Sequence, residues 1–389
     1  MNPLPVHPRT PVFDIVIEQE DLDAVAEVLR SGWLTMGPRT EAIEAEFAAH
    51  IGVRHCVATS SCTTALHLAC IAAGVGPGDE VIVPSLTFVA TANAVRYCGG
   101  QPIFADLIGS HDLGIDPDHI ESLITPKTKA IIPVHYAGYA VPIEAIVELC
   151  ERYGLALIED AAHAPDAYVE GAGGAPRMLG SFGASGCFSF FPNKVLAVGE
   201  GGCLVTDDDQ IAATARLLRS QGMTATSIDK QRGEAFAYDV VGLGFNYRFD
   251  DPRAALLMTR FRRLHGEIER RRELVHRYRS AFADFDAIDI PYSDEQVDRS
   301  SCYLMGVRVD PAIRRDFRAR LIERHGVQTT IYPATHRLSA YVEAFGEVSL
   351  PQTEAVCASL ASIPLFPHLS DSEQDRVIAA VKQTVEGLS

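Results

Sequence analysis

The chain has 389 residues, more than a single hydrophobic core usually organises, so we expect one large domain and one smaller domain. It contains 34 Lys and Arg against 51 Asp and Glu, a formal charge of −17. This acidity argues against nucleic acid as a partner. An anionic substrate would need a local cluster of cations or helix N-termini.

Neither the N-terminal residues nor any later segment has the apolar length of a signal core or a membrane span. We therefore expect a cytoplasmic protein with no membrane partner. The nine cysteines are scattered, odd in number and without a CxxC pair, which predicts reduced, mostly buried thiols and neither disulfides nor a metal site.

Short apolar runs alternate with helix-like stretches from about residue 50 to 210, for example EVIVPSL followed by FVATANAVRYCG. This alternation predicts an α/β fold with a mainly parallel central sheet, helices on both faces and ligands at the carboxyl ends of the strands. The polar stretch 224–236 is interpreted as a mobile excursion. A long helix from residue 250 to about 282 then leads into the C-terminal part.

A smaller C-terminal α/β domain is indicated by strand-like and helix-like segments of its own. The predicted strands are CYLMGVRV and VQTTIY, and the predicted helices are RDFRARLIERHG and SEQDRVIAAVKQTV. We place an N-terminal segment and a large domain in residues 1–255, and a linking helix and the small domain in 256–389.

The segment CFSFFPNKVLAVGEGGC places Lys194 between an aromatic strand and a glycine-rich loop. No acidic residue is immediately adjacent, and partial desolvation lowers the pKa of a lysine and frees the amine to attack an aldehyde. Lys194 is therefore the candidate nucleophile. The alternative is a solvated surface lysine.

Asp160 ends the apolar strand GLALIED. A buried carboxylate is costly unless a cation neutralises it, and a pyridinium nitrogen would do so and become an electron sink. The alternative is a helix N-cap, because an alanine pair follows. His163 is either a structural histidine or a hydrogen-bond partner of a ring hydroxyl.

The fragment SSCTTA contains Ser61, Cys62 and Thr63 between a strand and a helix, where free backbone amides suit a phosphate. Ordinary helix capping is the alternative. Ser189 could add a hydroxyl to the same anion. Phe88 could stack on an aromatic ring or simply pack in the core.

Six fragments in order and spacing carry a family resemblance from about residue 31 to 381: VIVPSLTFVATANAV, TPKTKAIIPVHYAG, LIEDAAHA, CFSFFPNKVLAVGEGG, GFNYRFDD and SIPLFPHLS. Together they resemble the sugar-nucleotide aminotransferases of the DegT family. The resemblance implies the type I pyridoxal-phosphate transferase fold, pyridoxal 5'-phosphate as cofactor with pyridoxamine phosphate as its intermediate form, and a homodimer with composite active sites.

Carried over by the resemblance, Lys194 is the Schiff-base lysine and Asp160 the partner of the pyridinium nitrogen. Asn246 would reach the phosphate from the neighbouring subunit. The implied cofactor-binding set is Ser61, Cys62, Thr63, Phe88, Asp160, His163, Ser189, Asn193, Lys194 and Asn246. Substrate contacts are expected from Thr35, Lys230, Arg232, Arg248, Tyr332 and His336.

Two departures from the family pattern matter. Cys62 stands where many relatives have glycine, which a backbone-amide contact should tolerate, and HYAGY replaces the commoner HLYGQ. The fragments HYAG and EDAAHA, at residues 135–138 and 159–164, resemble the C4-aminating branch more than the C3 branch. Dehydratases of the family carry histidine at position 194, so the lysine here favours transamination.

The expected function is transfer of an amino group from glutamate to C4 of a nucleotide-linked 4-keto sugar. The expected acceptor is dTDP-4-keto-6-deoxyglucose, in amino-sugar and antibiotic biosynthesis. The alternatives are a C3 sugar aminotransferase, a cyclitol or aminoshikimate-type aminotransferase, and a non-catalytic regulatory homologue.

Overall fold

The computed structural model describes residues 9–171, 173–225, 227–233 and 236–388, without the side chains of Ser227 and Lys230. The α-helices of this part of the chain are α1 (Gln19–Ser31), α2 (Pro38–Ile51), α3 (Cys62–Ala72), α4 (Ala90–Tyr97), α5 (Pro117–Leu123), α6 (Ile143–Tyr153), α7 (Asp209–Arg219), α8 (Ser227–Gln231), α9 (Asp251–Phe282), α10 (Asp294–Arg299), α11 (Arg314–His325), α12 (Ser339–Phe345), α13 (Pro351–Ser359) and α14 (Asp371–Glu386). The strands are β1 (His55–Thr59), β2 (Glu80–Pro84), β3 (Gln101–Ala105), β4 (Thr128–Ile131), β5 (Ala156–Asp160), β6 (Tyr168–Glu170), β7 (Pro176–Met178), β8 (Ser185–Ser189), β9 (Gly202–Thr206), β10 (Met305–Arg308) and β11 (Leu360–Ile363).

Seven strands form the central sheet in the order β1–β9–β8–β5–β4–β2–β3. Every neighbouring pair from β8 to β3 is parallel, whereas β9 runs antiparallel to both β8 and β1. The expected mainly parallel sheet is confirmed. Because β1 and β8 both oppose β9, the carboxyl ends of β1, β2, β4, β5 and β8 meet at one edge, where β9 begins.

Helices cover both faces of this sheet, as the alternation of side chains in β8 illustrates. Cys187 belongs to an apolar cluster with residues of α3 and α7, whereas the next residue, Phe188, packs in the cluster that contains α2 and α9. The rings of Phe47 in α2 and Phe188 meet edge to face with centroids 5.0 Å apart. Since successive side chains of a strand point to opposite faces, one strand anchors both helical layers.

The C-terminal part pairs β10 antiparallel with β11 and packs α11 against α14. The predicted strand VQTTIY is wrong: Val327 and Thr330 form only isolated bridges, to Thr10 and Ser362. The left-handed Gly326 before this segment and the proline after it limit the pairing to single bridges. The predicted boundary between residues 255 and 256 falls inside α9 and stays a prediction.

The stretch 224–236, interpreted from the sequence as a mobile excursion, includes the short helix α8; positions 226, 234 and 235 lie outside the described residues. No helix among the described residues is both long and apolar enough to cross a bilayer. Within the same residues, no group of His, Cys, Asp and Glu is arranged to hold a metal ion.

Candidate active site

A cavity of about 320 Å³ opens at the edge where the parallel strands end and β9 begins. Its lining residues follow the carboxyl ends of β1, β2, β4, β5 and β8, precede β9, or come from the C-terminal part. They are Ser61, Cys62, Thr63, Leu66, Thr87, Phe88, Ala90, Val134, Asp160, Ala162, His163, Ser189, Phe191, Asn193, Lys194, Glu200, Gly201 and Tyr332. The structure therefore brings together nine of the ten predicted cofactor contacts, all except Asn246.

Lys194 lies in the connection between β8 and β9, where its backbone N–H bonds the carbonyl of Phe191 at 2.9 Å. The half-buried side chain forms no ion pair or hydrogen bond with the described residues, and Nζ stands 4.5 Å from the centroid of the Tyr303 ring. Burial lowers the lysine pKa to about 8, against the attraction of Asp160 and Cys62. This setting contradicts the alternative of an ordinary surface lysine.

Asp160 ends β5 as a buried carboxylate, 5% exposed. Oδ2 accepts a hydrogen bond from Thr91 Oγ1 at 2.7 Å, and Oδ1 accepts one from the Ala162 N–H at 3.2 Å. No Lys, Arg or His of the described chain forms an ion pair with it, and burial raises its pKa. Residues 161–167, directly after Asp160, form turns and not a helix, so the N-cap alternative is wrong. The carboxylate lacks a counter-charge, which suits a cationic ring nitrogen.

Thr91 was not anticipated from the sequence. Its hydroxyl lies 2.7 Å from both Asp160 Oδ2 and Thr87 Oγ1, and all three side chains are buried. With one hydrogen on each hydroxyl, Thr87 donates to Thr91 and Thr91 donates to the carboxylate. The available signal was helical spacing, because Thr91 follows Phe88 by three residues at the start of α4.

His163 is buried, and its Nδ1 accepts the backbone N–H of Ala137 at 3.2 Å. Burial, aided by the charge of Lys194, lowers the pKa of this imidazole well below its usual value. The ring is therefore neutral and carries its proton on Nε2. No acceptor for Nε2 is found in the described chain, so this nitrogen can donate to a ring oxygen in the cavity.

The N-terminus of α3 is both capped and open to an anion. Ser61 Oγ accepts the N–H of Thr64 at 3.2 Å, while the N–H groups of Cys62 and Thr63 have no acceptor in the described chain. A Cβ at Gly202 would lie 2.4 Å from the Cys62 nitrogen, so only glycine lets β9 approach this turn. Capping and phosphate binding are compatible here.

Three further predicted contacts border the cavity. Phe88 is 60% exposed, so the core-packing alternative is wrong and its ring is available for stacking. Asn193 Oδ1 is buried without a hydrogen-bond partner in the described chain. Ser189 Oγ accepts the Phe191 N–H at 3.4 Å and keeps its own proton to donate.

One of the predicted substrate contacts lines the cavity. Tyr332 lines the cavity, with its hydroxyl 3.4 Å from that of Tyr303. The prediction that His336 contacts the substrate is corrected by its surroundings. His336 is 1% exposed, its Nδ1 lies 2.6 Å from Ser85 Oγ, and its Nε2 lies 3.2 Å from Glu354 Oε1. Both ring nitrogens have protein partners, so His336 is a structural residue.

The other predicted contacts do not line the cavity of the single chain; they are Thr35, Arg232, Arg248 and Asn246. Arg232 donates two hydrogen bonds to Glu41, at 3.0 and 2.6 Å. The exposed Asn246 adjoins Tyr247, whose carbonyl accepts the N–H of Ser60 at 2.8 Å. The side chain of Lys230 lies outside the described residues.

Glu200 and Gly201, in the glycine-rich loop after Lys194, also line the cavity, and the sequence pattern predicts no role for them. Tyr303 approaches Lys194 from the C-terminal part, and no local sequence signal identifies it. The residues that line the cavity fit a pyridoxal phosphate. They combine a carboxylate without an ion-pair partner, an exposed aromatic ring, free N–H groups at a helix N-terminus and a lysine without a polar partner.

Residues 16–382 match the DegT/DnrJ/EryC1/StrS aminotransferase family. The chain belongs to this family. The spore coat polysaccharide biosynthesis protein SpsC of Bacillus subtilis (strain 168) is 37% identical over an alignment of 380 residues, which covers 96% of this chain and 96% of that protein.

Two solved structures agree with this assignment. The aminotransferase TlmJ from Streptoalloteichus hindustanus shares 37% identity over 98% of this chain and 100% of its own, with a TM-score of 0.89. NtdA from Bacillus subtilis, solved with bound cofactor PMP, shares 31% identity over 95% of this chain and 82% of its own, with a TM-score of 0.84.

The family assignment, the type I fold and the cofactor expected from the sequence are thus confirmed. The chain is a pyridoxal-phosphate-dependent sugar aminotransferase.

Proposed function

We propose that this aminotransferase moves the amino group of glutamate to C4 of a nucleotide-linked 4-keto sugar, with dTDP-4-keto-6-deoxyglucose as the acceptor. One observation carries the catalytic part of this proposal. The amine of Lys194 has no polar partner in the described chain, and it shares a cavity with a buried carboxylate that lacks a counter-cation.

Each residue then has a defined task. Bound pyridoxal phosphate supplies an aldehyde for covalent attachment and a protonated ring that withdraws electrons. Asp160 would keep the ring nitrogen protonated, Phe88 would offer its ring face for stacking, and the N–H groups at the start of α3 would receive the phosphate. His163 Nε2 would donate to a ring oxygen. Lys194 Nζ would hold the cofactor through its aldehyde and, as a neutral amine, would take and return the proton that amino transfer requires.

The C4 assignment is supported by the two segments that resemble the C4-aminating branch, residues 135–138 and 159–164. They are in direct contact, because the Ala137 N–H bonds His163 Nδ1 at 3.2 Å. Asp160, Ala162 and His163 of the second segment line the cavity, and the first segment contacts His163. Regiochemistry follows from which sugar carbon lies over the reacting carbon, and a shift of about 1 Å would change it.

A homodimer with composite sites accounts for the contacts that lie outside the cavity. The cavity of about 320 Å³ is at the low end of the range for ligand sites, about 300–1,000 Å³, so the nucleotide must extend beyond it. Exposed apolar side chains cluster in residues 236–243, with Phe236 99% and Leu243 89% exposed. Such a patch is typical of an interface. We propose that the partner supplies Asn246, Arg248, Lys230 and Arg232 and that the enzyme is cytoplasmic.

The deciding experiment is an assay of the purified enzyme with glutamate against thymidine- and uridine-diphosphate 4-keto and 3-keto sugars. We expect turnover with the 4-keto sugar and, by NMR, the new amine at C4. Amination at C3, or turnover only with a free cyclitol ketone, would favour the alternatives.

Borohydride reduction of the wild-type holoenzyme should attach the cofactor permanently to Lys194, as located by peptide mass spectrometry. The label should be absent from Lys194→Ala. Labelling of another lysine would contradict the catalytic assignment, and complete absence of turnover with intact labelling would leave only the substrate assignment wrong.

A further inference from the structure

We propose that Tyr303 is a positioning residue of the reaction, whose ring face holds the amine of Lys194 at the cavity while the same ring fixes His163. The proposal rests on the role of Lys194 in the proposed function. Tyr303 belongs to the segment before β10 and is 4% exposed. It therefore connects the C-terminal part of the chain to the centre of the cofactor site.

The contact with the lysine is electrostatic. Lys194 Nζ lies 4.5 Å from the centroid of the Tyr303 ring, within the range of a cation–π interaction. No carboxylate of the described chain forms an ion pair with this amine. The ring is thus the protein group in direct contact with the charge, and it favours the ammonium form that burial disfavours.

The same ring also packs on the histidine. The centroids of Tyr303 and His163 are 4.2 Å apart with planes tilted by 30°. The Tyr303 hydroxyl lies 3.4 Å from the hydroxyl of Tyr332, which lines the cavity. One phenol ring is therefore in contact with both the reactive amine and the imidazole.

The backbone around Tyr303 is held in an unusual conformation. Cys302 has a φ of +46°, in the left-handed region that side chains other than glycine rarely adopt. The Ser300 hydroxyl oxygen accepts its N–H at 2.9 Å, and Arg271 Nη1 donates to its carbonyl at 3.4 Å. Strain of this kind persists only where surrounding contacts impose it, and it clusters at functional sites.

A hydrogen bond also joins the Tyr303 backbone to the segment that follows β4. The Tyr303 N–H donates to the carbonyl of Ala137 at 2.9 Å, and the Ala137 N–H donates to His163 Nδ1. Ala137 also has a positive φ, +57°. The hydrogen bond between Tyr303 and Ala137 thus joins a segment that places one ring on Lys194 to a segment that places one amide on His163, and each segment contains a residue with positive φ.

The competing explanation is that Tyr303 only fills space. A space-filling residue would affect folding but not the protonation of Lys194. Tyr303→Phe keeps the ring face, whereas Tyr303→Leu and Tyr303→Met remove it and retain apolar bulk. Tyr292→Leu is the matched control, because Tyr292 is a buried tyrosine stacked on Tyr139 at 3.8 Å and outside the cavity.

The experiment measures the pKa of Lys194 in the folded apoprotein, by competitive labelling with acetic anhydride across pH and peptide mass spectrometry. Asp160, Cys62, His163 and Tyr332 also face this region and are unchanged in every variant. We expect Tyr303→Leu and Tyr303→Met to lower the pKa by about 0.5–1 unit. Tyr303→Phe and Tyr292→Leu should leave it within about 0.2 units of wild type.

In the holoenzyme, the Leu and Met variants should also shift the pH profile of kcat, and the Phe variant should keep the wild-type profile. An unchanged lysine pKa in the folded Leu or Met variant, or a Phe variant that behaves like them, would overturn the proposal. The pKa measurement needs no sugar or cofactor, so it gives the same answer if another lysine carries the cofactor. That second failure would appear separately in the borohydride labelling.

Discussion

Replacing Asp160 by asparagine should make the apoprotein more stable and the enzyme far less active. The charge of Asp160 is buried without a cationic partner, and its pKa is raised by burial. A carboxyl whose pKa is higher in the folded than in the unfolded state removes stability as pH rises through that interval. At about pH 7.5 the wild-type apoprotein therefore bears this cost, and Asp160→Asn does not.

The hydrogen bonds can be kept in the variant. The amide oxygen can accept the Ala162 N–H, and the amide nitrogen can donate to Thr91 Oγ1. The Thr91 proton can then turn to the Phe88 carbonyl, which lies 3.3 Å away. The gain from removing an unpaired buried charge is about 1–3 kcal/mol. For a chain of this size that corresponds to a rise in the apoprotein Tm of about 1–4 °C.

The catalytic effect has the opposite sign. Loss of a preorganised electrostatic partner from a transition state costs on the order of 10²–10³ in kcat. Cofactor binding stabilises the folded state by an amount that grows with the logarithm of its affinity, so one fixed, saturating concentration of pyridoxal phosphate should raise the Tm of wild type more than that of Asp160→Asn. The assay pairs thermal unfolding with and without cofactor with steady-state kinetics.

Asp106→Asn is the matched control. Asp106 is also buried, but its carboxylate accepts hydrogen bonds from the N–H groups of Leu107, Gln352 and Thr353. Burial raises the pKa of this carboxyl, but the hydrogen bonds outweigh that effect and lower it. An amide cannot accept all of them, so this variant should lose about 1–3 kcal/mol and keep its response to cofactor. The reasoning is refuted if Asp160→Asn destabilises the apoprotein as Asp106→Asn does, or retains kcat within about threefold of wild type.

Four further outcomes are expected. Thr91→Val removes the hydroxyl that donates to Asp160 and should lower kcat by about 5–20-fold while moving the acidic limb of the pH profile upward; Thr91→Ser should restore both. The rate at which the apoprotein binds pyridoxal phosphate covalently can be measured by stopped-flow absorbance. This rate should rise about tenfold per pH unit up to the Lys194 pKa of about 8 and then level off, because only the neutral amine attacks. A rise that continues to about pH 10 would indicate an ordinary lysine. Mixed dimers of Lys194→Ala and Asn246→Ala should recover activity above either parent if the asparagine acts across the interface, and show no recovery if it acts within its own chain. Gly202→Ala places a methyl group 2.4 Å from a backbone nitrogen at the start of α3, so cofactor affinity measured by fluorescence titration should fall by at least about tenfold while far-ultraviolet circular dichroism stays unchanged.

The sequence by itself determined those parts of the site whose positions depend on residues close to them along the chain. Parallel strands end at one edge of a sheet, so Asp160 after β5, the Ser61 cap after β1 and Lys194 after β8 were expected to converge there. Local spacing was sufficient, because each of these side chains is placed by the strand that immediately precedes it.

Only the tertiary structure decided which groups tune those residues. Thr91 donates to a carboxylate 69 positions away, and Tyr303 reaches Lys194 from the C-terminal part. His336 was misassigned because its partners, Ser85 and Glu354, come from separate elements. Helix and strand periodicity reports which face of an element is apolar, but not which distant element packs on that face. Protonation, burial and hydrogen-bond partners are set by that packing, and so they appear only when the chain is folded.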